Sequence, residues 1–503
     1  MAHVVSLLYG CTVDYAGQWP VLIKFASSLF NRFLELYGLG VYIDGPLSGA
    51  SASGLQGIIL AIHYRLNEQL LEHNMNTQLQ RRRLLQASTG LVAGVPCLAA
   101  SRVHGANERL NIGVIGVGGR GAGDLAGVAS ENIVAICDVN QNTLDATAAK
   151  FPGAKKYSDY RKCLEQKNLD AVVIATPDHN HAPATTRALK RGLHVYCEKP
   201  LTHTVQEARV VADLSRKAGV ATQMGTQNHE HPGYLRLVEL LQSGAIGSVH
   251  EVHVITDRPG NFWKQGLAKP TGQPKVPAHL QWDLWLGPAA QRSYHPAYVP
   301  FKWRGWWDFG CGAIGDMAIH LMDPAFWALK LGGPVKVTST GPKPHPASGP
   351  ISMVTRFQFG QRGELDPVDV YWYEGIAKPK ADIARELPMN GSLFIGEAGR
   401  ISIQHGGFPI LLPKEKFADF KPPAPYLPES PGHHRQWIEA CKTGRATGSN
   451  FQYAGPFTEV VLLGNVAYRV GETIVYDPEK MSVTNVAQAN SLLAKSYRSG
   501  WAL

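Results

Sequence analysis

Three side chains in this sequence could together take a proton from an alcohol and steady the charge left behind: Lys199, Asp316 and His320. Asp316 and His320 stand four residues apart, so on a helix they share a face and can reach the same pair of hydroxyls. Lys199 follows an apolar run in Cys197-Glu198-Lys199-Pro200, which puts its ammonium at the end of a strand. Oxidising an alcohol needs a base for the hydroxyl proton and a cation or donor for the developing alkoxide. A neutral histidine suits the base near pH 7. Taken singly, each residue also has a plain structural explanation, as a surface helix pair or a solvated turn lysine.

A second set would hold a dinucleotide. The apolar stretch from Leu110 runs into Gly116-Val117-Gly118-Gly119-Arg120-Gly121, which fits G-x-G-x-x-G. The first glycine permits a tight turn, the second a close backbone approach to a pyrophosphate, and the third close packing of helix on strand. Asp138 ends the next apolar run, 22 residues after Gly116, where a carboxylate receives the hydroxyls of the adenosine ribose. Its charge repels a 2′-phosphate and no arginine follows closely, so NAD is favoured over NADP. The alternative for Asp138 is a helix N-cap.

Strands and helices must alternate to bring these sets together. The patterns predict strands over 133–137, 171–176, 194–197 and 221–225, with helices over 182–191 and 206–217 between them. This implies a parallel doubly wound sheet, with ligands beyond the strand ends: Gly116, Asp138, Thr176-Pro177, Glu198-Lys199-Pro200 and Gln227. Past Gln227 the strand-like runs 249–256, 335–340, 353–359, 393–395 and 400–403 indicate an α+β domain with a largely antiparallel open sheet. The chain is thereby expected to divide into a Rossmann domain at 107–229 and a substrate and oligomerisation domain at 230–503. Trp282, Trp285, Trp303, Trp306 and Trp307 crowd one stretch with Tyr298 and Arg304. They suit a sugar-stacking surface and a packed core equally. Arg258, at a strand end, is a further candidate for facing the pocket.

At 503 residues the chain exceeds one ordinary domain, and 44% hydrophobic with 18% charged residues suits a packed globular protein. The net charge of +9 comes without a basic stripe interleaved with aromatics, so nucleic acid is not an expected partner. No run of 18 apolar residues predicts a membrane span, so no stable membrane insertion is expected. The seven cysteines are scattered and form no C-x-x-C, which argues against a zinc site or a disulfide framework; no metal is expected. From Met75, the cluster Arg81-Arg82-Arg83, an apolar stretch and small residues up to 106 have the layout of an export signal. The arginines followed by Leu84-Leu85 resemble a twin-arginine signal, with Gln80 in place of the usual Ser or Thr. A periplasmic destination is expected, or a cytoplasmic one if 75–106 is instead a basic amphipathic helix. Residues 1–74 are an extension of uncertain status that starting translation at Met75 would leave out.

The series G-x-G-x-x-G, Ala175-Thr176-Pro177-Asp178-His179-Asn180-His181, Cys197-Glu198-Lys199-Pro200 and Gly310 to Asp323 (GCGAIGDMAIHLMD) resembles the Gfo/Idh/MocA oxidoreductases. That family includes glucose–fructose oxidoreductase and inositol dehydrogenase, and the resemblance runs from about Leu110 to the C-terminus. It implies His320 as general acid/base, Asp316 as the carboxylate that binds and orients substrate, and Lys199 as the alkoxide-stabilising cation. It also implies cofactor contacts from Thr176, Pro177, His181, Glu198 and Gln227, beside Gly116, Gly118, Gly119, Arg120, Gly121 and Asp138. Arg258, Tyr298, Arg304 and Trp306 rank behind these as substrate contacts. The implied reaction passes a hydride between a tightly bound NAD and a hydroxyl or keto group of a sugar, polyol or glycoside, in a homodimer or homotetramer. The alternative is an NAD-dependent glycosidase working through transient oxidation, although glycosidases of that kind lack the Glu-Lys-Pro lysine. An idle sugar-binding protein on the same fold would lack Lys199, Asp316 or His320, and all three are present.

Overall fold

The computed structural model describes residues 109–503. The expected signal segment at 75–106 and the extension at 1–74 lie outside the described residues.

The first sheet is built from β1 (Asn111–Ile115), β2 (Asn132–Cys137), β3 (Lys155–Tyr157), β4 (Ala171–Ile174), β5 (His194–Glu198) and β6 (Thr222–Gly225), in the order β3-β2-β1-β4-β5-β6. All its pairings are parallel. β4 reads Ala-Val-Val-Ile and is buried throughout, as a central strand covered on both faces should be. Helices α1 (Arg120–Gly127), α2 (Gln141–Lys150), α3 (Tyr160–Cys163), α4 (His181–Lys190) and α5 (Val205–Ala218) connect the strands. α5 begins with a capping box between Thr204 and Glu207 and stops at Gly219, which takes the left-handed conformation that favours glycine there. The strand order reverses between β1 and β4, and that reversal opens the crevice where dinucleotides sit in such sheets.

After α6 (Pro232–Gln242) comes the second sheet: β7 (Val249–Thr256), β8 (Lys336–Thr340), β9 (Ser352–Phe359), β10 (Val368–Gly375), β11 (Gly391–Gly396), β12 (Gly399–Gln404), β13 (Ile410–Leu412), β14 (Ile474–Asp477) and β15 (Ser482–Val483). Its order is β13-β12-β11-β7-β10-β9-β8-β14-β15. β7 and β10 pair in parallel and the other pairings are antiparallel. The expected strand-like runs at 393–395 and 400–403 lie in the antiparallel β11–β12 pair. β10, whose Val-Asp-Val-Tyr-Trp-Tyr alternates as a half-buried strand should, was not among the expected strands, nor were β13, β14 and β15.

Helices α7 (His433–Thr443) and α8 (Phe451–Val470) tie the two sheets together. Trp437, Ile438 and Cys441 of α7 enter the same core as Leu110, Val114, Ile136 and Tyr196 of the first sheet. α8 runs along α5, and Gly455 allows this, since a Cβ there would lie 2.7 Å from that of Ala212. The chain beyond residue 430 therefore crosses back over the boundary drawn at 229. The five described cysteines are buried and free.

Candidate active site

The site forms where the ends of β4, β5 and β6 meet the helix that follows the aromatic segment. That helix opens as a π-helical turn, Ile314–Ala318, and continues as Ile319–Leu321. Insertions of this kind recur at functional sites. Two glycines make room for it. A Cβ on Gly315 would strike that of Cys311 at 2.1 Å, and one on Gly310 would lie 2.6 Å from the Arg304 backbone.

Asp316 projects from this turn and is buried. Lys199, at the end of β5, donates to its Oδ1 at 2.6 Å, and Arg304 donates to the same oxygen at 3.2 Å. Burial alone would raise the Asp316 pKa, but the charges of Lys199 and Arg304 outweigh it and hold the carboxyl below its ordinary range. Arg304 packs against Phe301 and Trp303, with its guanidinium carbon 4.2 Å from each ring centroid. The three expected catalytic side chains thus converge on one place, with Arg304 as a second cation on the carboxylate.

His320 is buried beside them. Burial, then the charges of Lys199 and His405, push its pKa well below the ordinary 6.5, so it is neutral at pH 7. Its Nδ1 lies 3.4 Å from the Thr226 hydroxyl, whose one hydrogen goes to the Ile319 carbonyl at 3.1 Å. That hydroxyl can therefore only accept from Nδ1–H, which leaves Nε2 as the basic nitrogen. His405 presents its ring edge-on to His320 at 5.4 Å, in the loop after β12. It was not among the expected site residues, and its position far along the chain gave no local signal beyond the Gly406-Gly407 turn that follows it.

The residues around the glycine turn fit a dinucleotide. Gly116 sits at φ +83°, and a Cβ there would lie 2.6 Å from the Ala175 carbonyl. A Cβ on Gly121 would overlap the Gly116 carbonyl at 1.7 Å, so α1 can close on β1 only with glycine at that position. Asp138 accepts from Val117 N at 3.1 Å and Asn140 N at 2.8 Å, which turns its carboxylate toward the turn. The N-cap of α2 is Asn140, so the capping alternative for Asp138 does not hold. The Thr176 hydroxyl at the end of β4 is buried with no partner, as expected of a group that meets a ligand. Arg120 is drawn back onto Asp124 at 2.6 Å and Glu198 at 3.2 Å. Gln227 donates to Glu198 at 2.6 Å. Burial, then the neighbouring Asp124, push the Glu198 carboxyl up to about 7.

Several expected contacts are placed otherwise. His181 turns Nδ1 to the Pro200 carbonyl and Nε2 to that of Thr176, each at 2.7 Å. Both nitrogens must then donate. Burial opposes the charge, but Cys197, Asp178 and the Pro200 carbonyl outweigh it and push the pKa up to about 10. His181 is thus a tie between two strand ends rather than the cofactor contact expected, while Pro177 starts the short turn Asp178–Asn180 beside it. Tyr298 and Trp306 are enclosed with Trp282, Trp285, Trp303 and Phe309 in one aromatic core. Trp306 is 2% exposed and donates its indole N–H to the Ala297 carbonyl at 2.9 Å. Neither ring has a face free for a sugar, which corrects their place among the substrate contacts. The core braces the site through His179, which packs on Trp285 and Phe309. Asp323, one turn past His320, is a structural clamp that binds His229 at 2.9 Å and the Tyr453 hydroxyl at 2.7 Å.

Comparison with known proteins agrees with this fold. Residues 110–226 match the model described as "Oxidoreductase family, NAD-binding Rossmann fold", and residues 235–360 match "Oxidoreductase family, C-terminal alpha/beta domain". Inositol 2-dehydrogenase of Salmonella typhimurium is 31% identical over 150 residues, 29% of this chain and 45% of that protein. Inositol 2-dehydrogenase 2 of Saccharopolyspora erythraea is 32% identical over 171 residues, 32% of this chain and 50% of that one. The chain thus spans about half the length of the curated relatives it matches. Among solved structures, an NAD-binding protein from Listeria innocua shares the fold at TM-score 0.52 and 16% identity, covering 73% of this chain and 99% of its own. GenD2 from gentamicin A biosynthesis, solved in complex with NAD, does so at 0.51 and 20%, covering 75% and 99%. Residues 110–226 and 235–360 are thus similar, in order, to the NAD-binding Rossmann domain and the C-terminal alpha/beta domain of the Gfo/Idh/MocA oxidoreductases.

Proposed function

We propose that the protein is an NAD-dependent oxidoreductase acting on a CH–OH group of a sugar or polyol. The observation that carries this reading is the convergence of Lys199, Asp316 and the neutral, Nδ1-protonated His320 at the end of β5. The glycine turn, Asp138 and the Thr176 hydroxyl would hold the dinucleotide, and the Asp138 carboxylate favours NAD over NADP. When bound, the nicotinamide supplies a two-electron acceptor for the hydride leaving the carbinol carbon. His320 Nε2 takes the hydroxyl proton. Lys199 stabilises the oxygen as it gains negative charge, and its tie to Asp316 fixes where that ammonium points. Asp316, held ionised by two cations, accepts from a neighbouring hydroxyl and sets the sugar's orientation. The relatives named inositol 2-dehydrogenase support a polyol as the substrate class.

Export through the 75–106 segment, a cofactor retained through turnover and assembly as a homo-oligomer extend this proposal. Retention follows from export, because no free NAD pool is expected outside the cytoplasm. A reporter fused to residues 75–106 tests the address. The activity is tested by adding inositols and aldoses singly to the full-length protein with NAD and following nicotinamide absorbance. Reduction by one of them is expected. Absence of reduction with every one, or cleavage of a glycoside without net reduction, would contradict it.

A further inference from the structure

One buried side chain ties together the segments that carry Asp316 and Arg304. Gln265 follows the short turn that begins at Arg258, whose guanidinium carbon lies 3.7 Å from the Phe262 ring centroid and whose Nε is buried without a partner. Gln265 itself is 3% exposed. Its Oε1 accepts from Ala313 N at 2.9 Å and from the Trp263 indole N–H at 3.0 Å. Its Nε2 donates to the Pro350 carbonyl at 2.5 Å and lies 3.4 Å from Glu374 Oε1. Glu374, near the end of β10 and 1% exposed, takes the Trp372 indole N–H on its other oxygen at 2.8 Å. The backbone repeats the link: Gly266 N donates to the Gly349 carbonyl at 2.6 Å, and Gly349 N to that of Gly305 at 2.9 Å. Two glycines leave room for the amide, since Cβ atoms on Gly312 and Gly349 would lie 3.4 Å and 3.1 Å from it.

Ala313 immediately precedes the π-helical turn that carries Asp316. The first N–H groups of a helix have no partner within it, so a side chain from elsewhere that accepts one helps fix where the helix starts. Gly305 follows Arg304, and a Cβ there would lie 2.5 Å from the carbonyl of Lys264, the residue before Gln265. The Arg304–Asp316 bond of 3.2 Å therefore joins two segments that also meet at one amide. A buried amide bonded at both ends resists displacement, because moving it leaves several polar groups unpaired. Resting on the oxidoreductase reading above, we infer that Gln265 is a positioning residue, which sets the Asp316 carboxylate against Arg304 and Lys199 in the geometry that orients the substrate. It acts through Asp316 alone, and Glu374 steadies its amide from the side of the second sheet.

A double-mutant cycle between Gln265 and Asp316 tests this, on the full-length protein with NAD and the inositols and aldoses used above. Gln265→Met is expected to lower kcat about 10- to 100-fold, with the KM of the sugar and the Kd of NAD each changed less than about threefold. In an Asp316→Asn background the same substitution is expected to cost less than about twofold, because the group it positions is already gone. Equal losses in both backgrounds, a loss shared by NAD binding, or no loss at all overturns the inference while leaving the oxidoreductase reading intact. If no sugar reduces NAD, that reading fails, and crystal structures decide the inference. Arg304 parted from Asp316 in Gln265→Met sustains it, and an unchanged pair ends it. Should Gln265→Met fail to fold, Gln265→Asn, which draws the amide back by one carbon, takes its place in both tests.

Discussion

The two ends of the site are built on opposite plans. Around Asp316 every charge is met within the protein: Lys199 at 2.6 Å, Arg304 at 3.2 Å, and aromatic rings packed against Arg304. Around Arg258 and His405 buried nitrogens are left open. A set of groups that must act on a proton gains from being fixed before substrate arrives, because preorganised charges need no rearrangement during the reaction. A set that must tell one substrate from another gains from being incomplete, because the wrong ligand then leaves its buried groups unpaired. The first end is complete before any ligand arrives, and the second leaves buried nitrogens that a ligand could complete.

Substitutions can sharpen that contrast. His320→Ala removes the base, and kcat is expected to fall about 10³-fold with little change in KM, measured by steady-state kinetics. Lys199→Met is expected to cost about 10²-fold or more in kcat/KM. It also leaves Asp316 with Arg304 alone, so loss concentrated in KM would show that Lys199 binds rather than stabilises charge. Asp138→Ser is expected to narrow the preference for NAD over NADP about tenfold, read from the ratio of the two dissociation constants for the cofactor-free protein. Trp306→Phe is expected to change KM less than about twofold while lowering Tm. A large rise in KM would return the aromatic core to the substrate surface.

What could be read from the sequence followed the range of the interactions. The strands of the first sheet, the glycine turn and the pair Asp316 and His320 are each marked by patterns only a few residues long, and their spacing carried them. The second sheet was legible as strands but not in its order, and β10 was passed over although its alternation is plain. Arg304 stood in view, but its bond to Asp316 depends on the loop through Gly310 and could not be read from spacing. His405 reaches the site only because β12 pairs with β11 and β11 with β7. No local pattern encodes that chain of pairings. Likewise, α7 reads as an ordinary amphipathic helix, and only the fold shows Trp437 entering the core of the first sheet.

The central claim is that a neutral His320, kept so by burial and by the cations beside it, takes the substrate proton. The pH profile of kcat/KM for the wild type and His320→Gln tests it most directly. Protonation of His320 removes the base, and its pKa lies well below 6.5, so the wild-type rate should stay level above pH 6.5 and fall only below it. The variant should be slow throughout and lack that acidic limb. An acidic limb that persists in His320→Gln, or a wild-type limb centred above pH 6.5, would contradict the account.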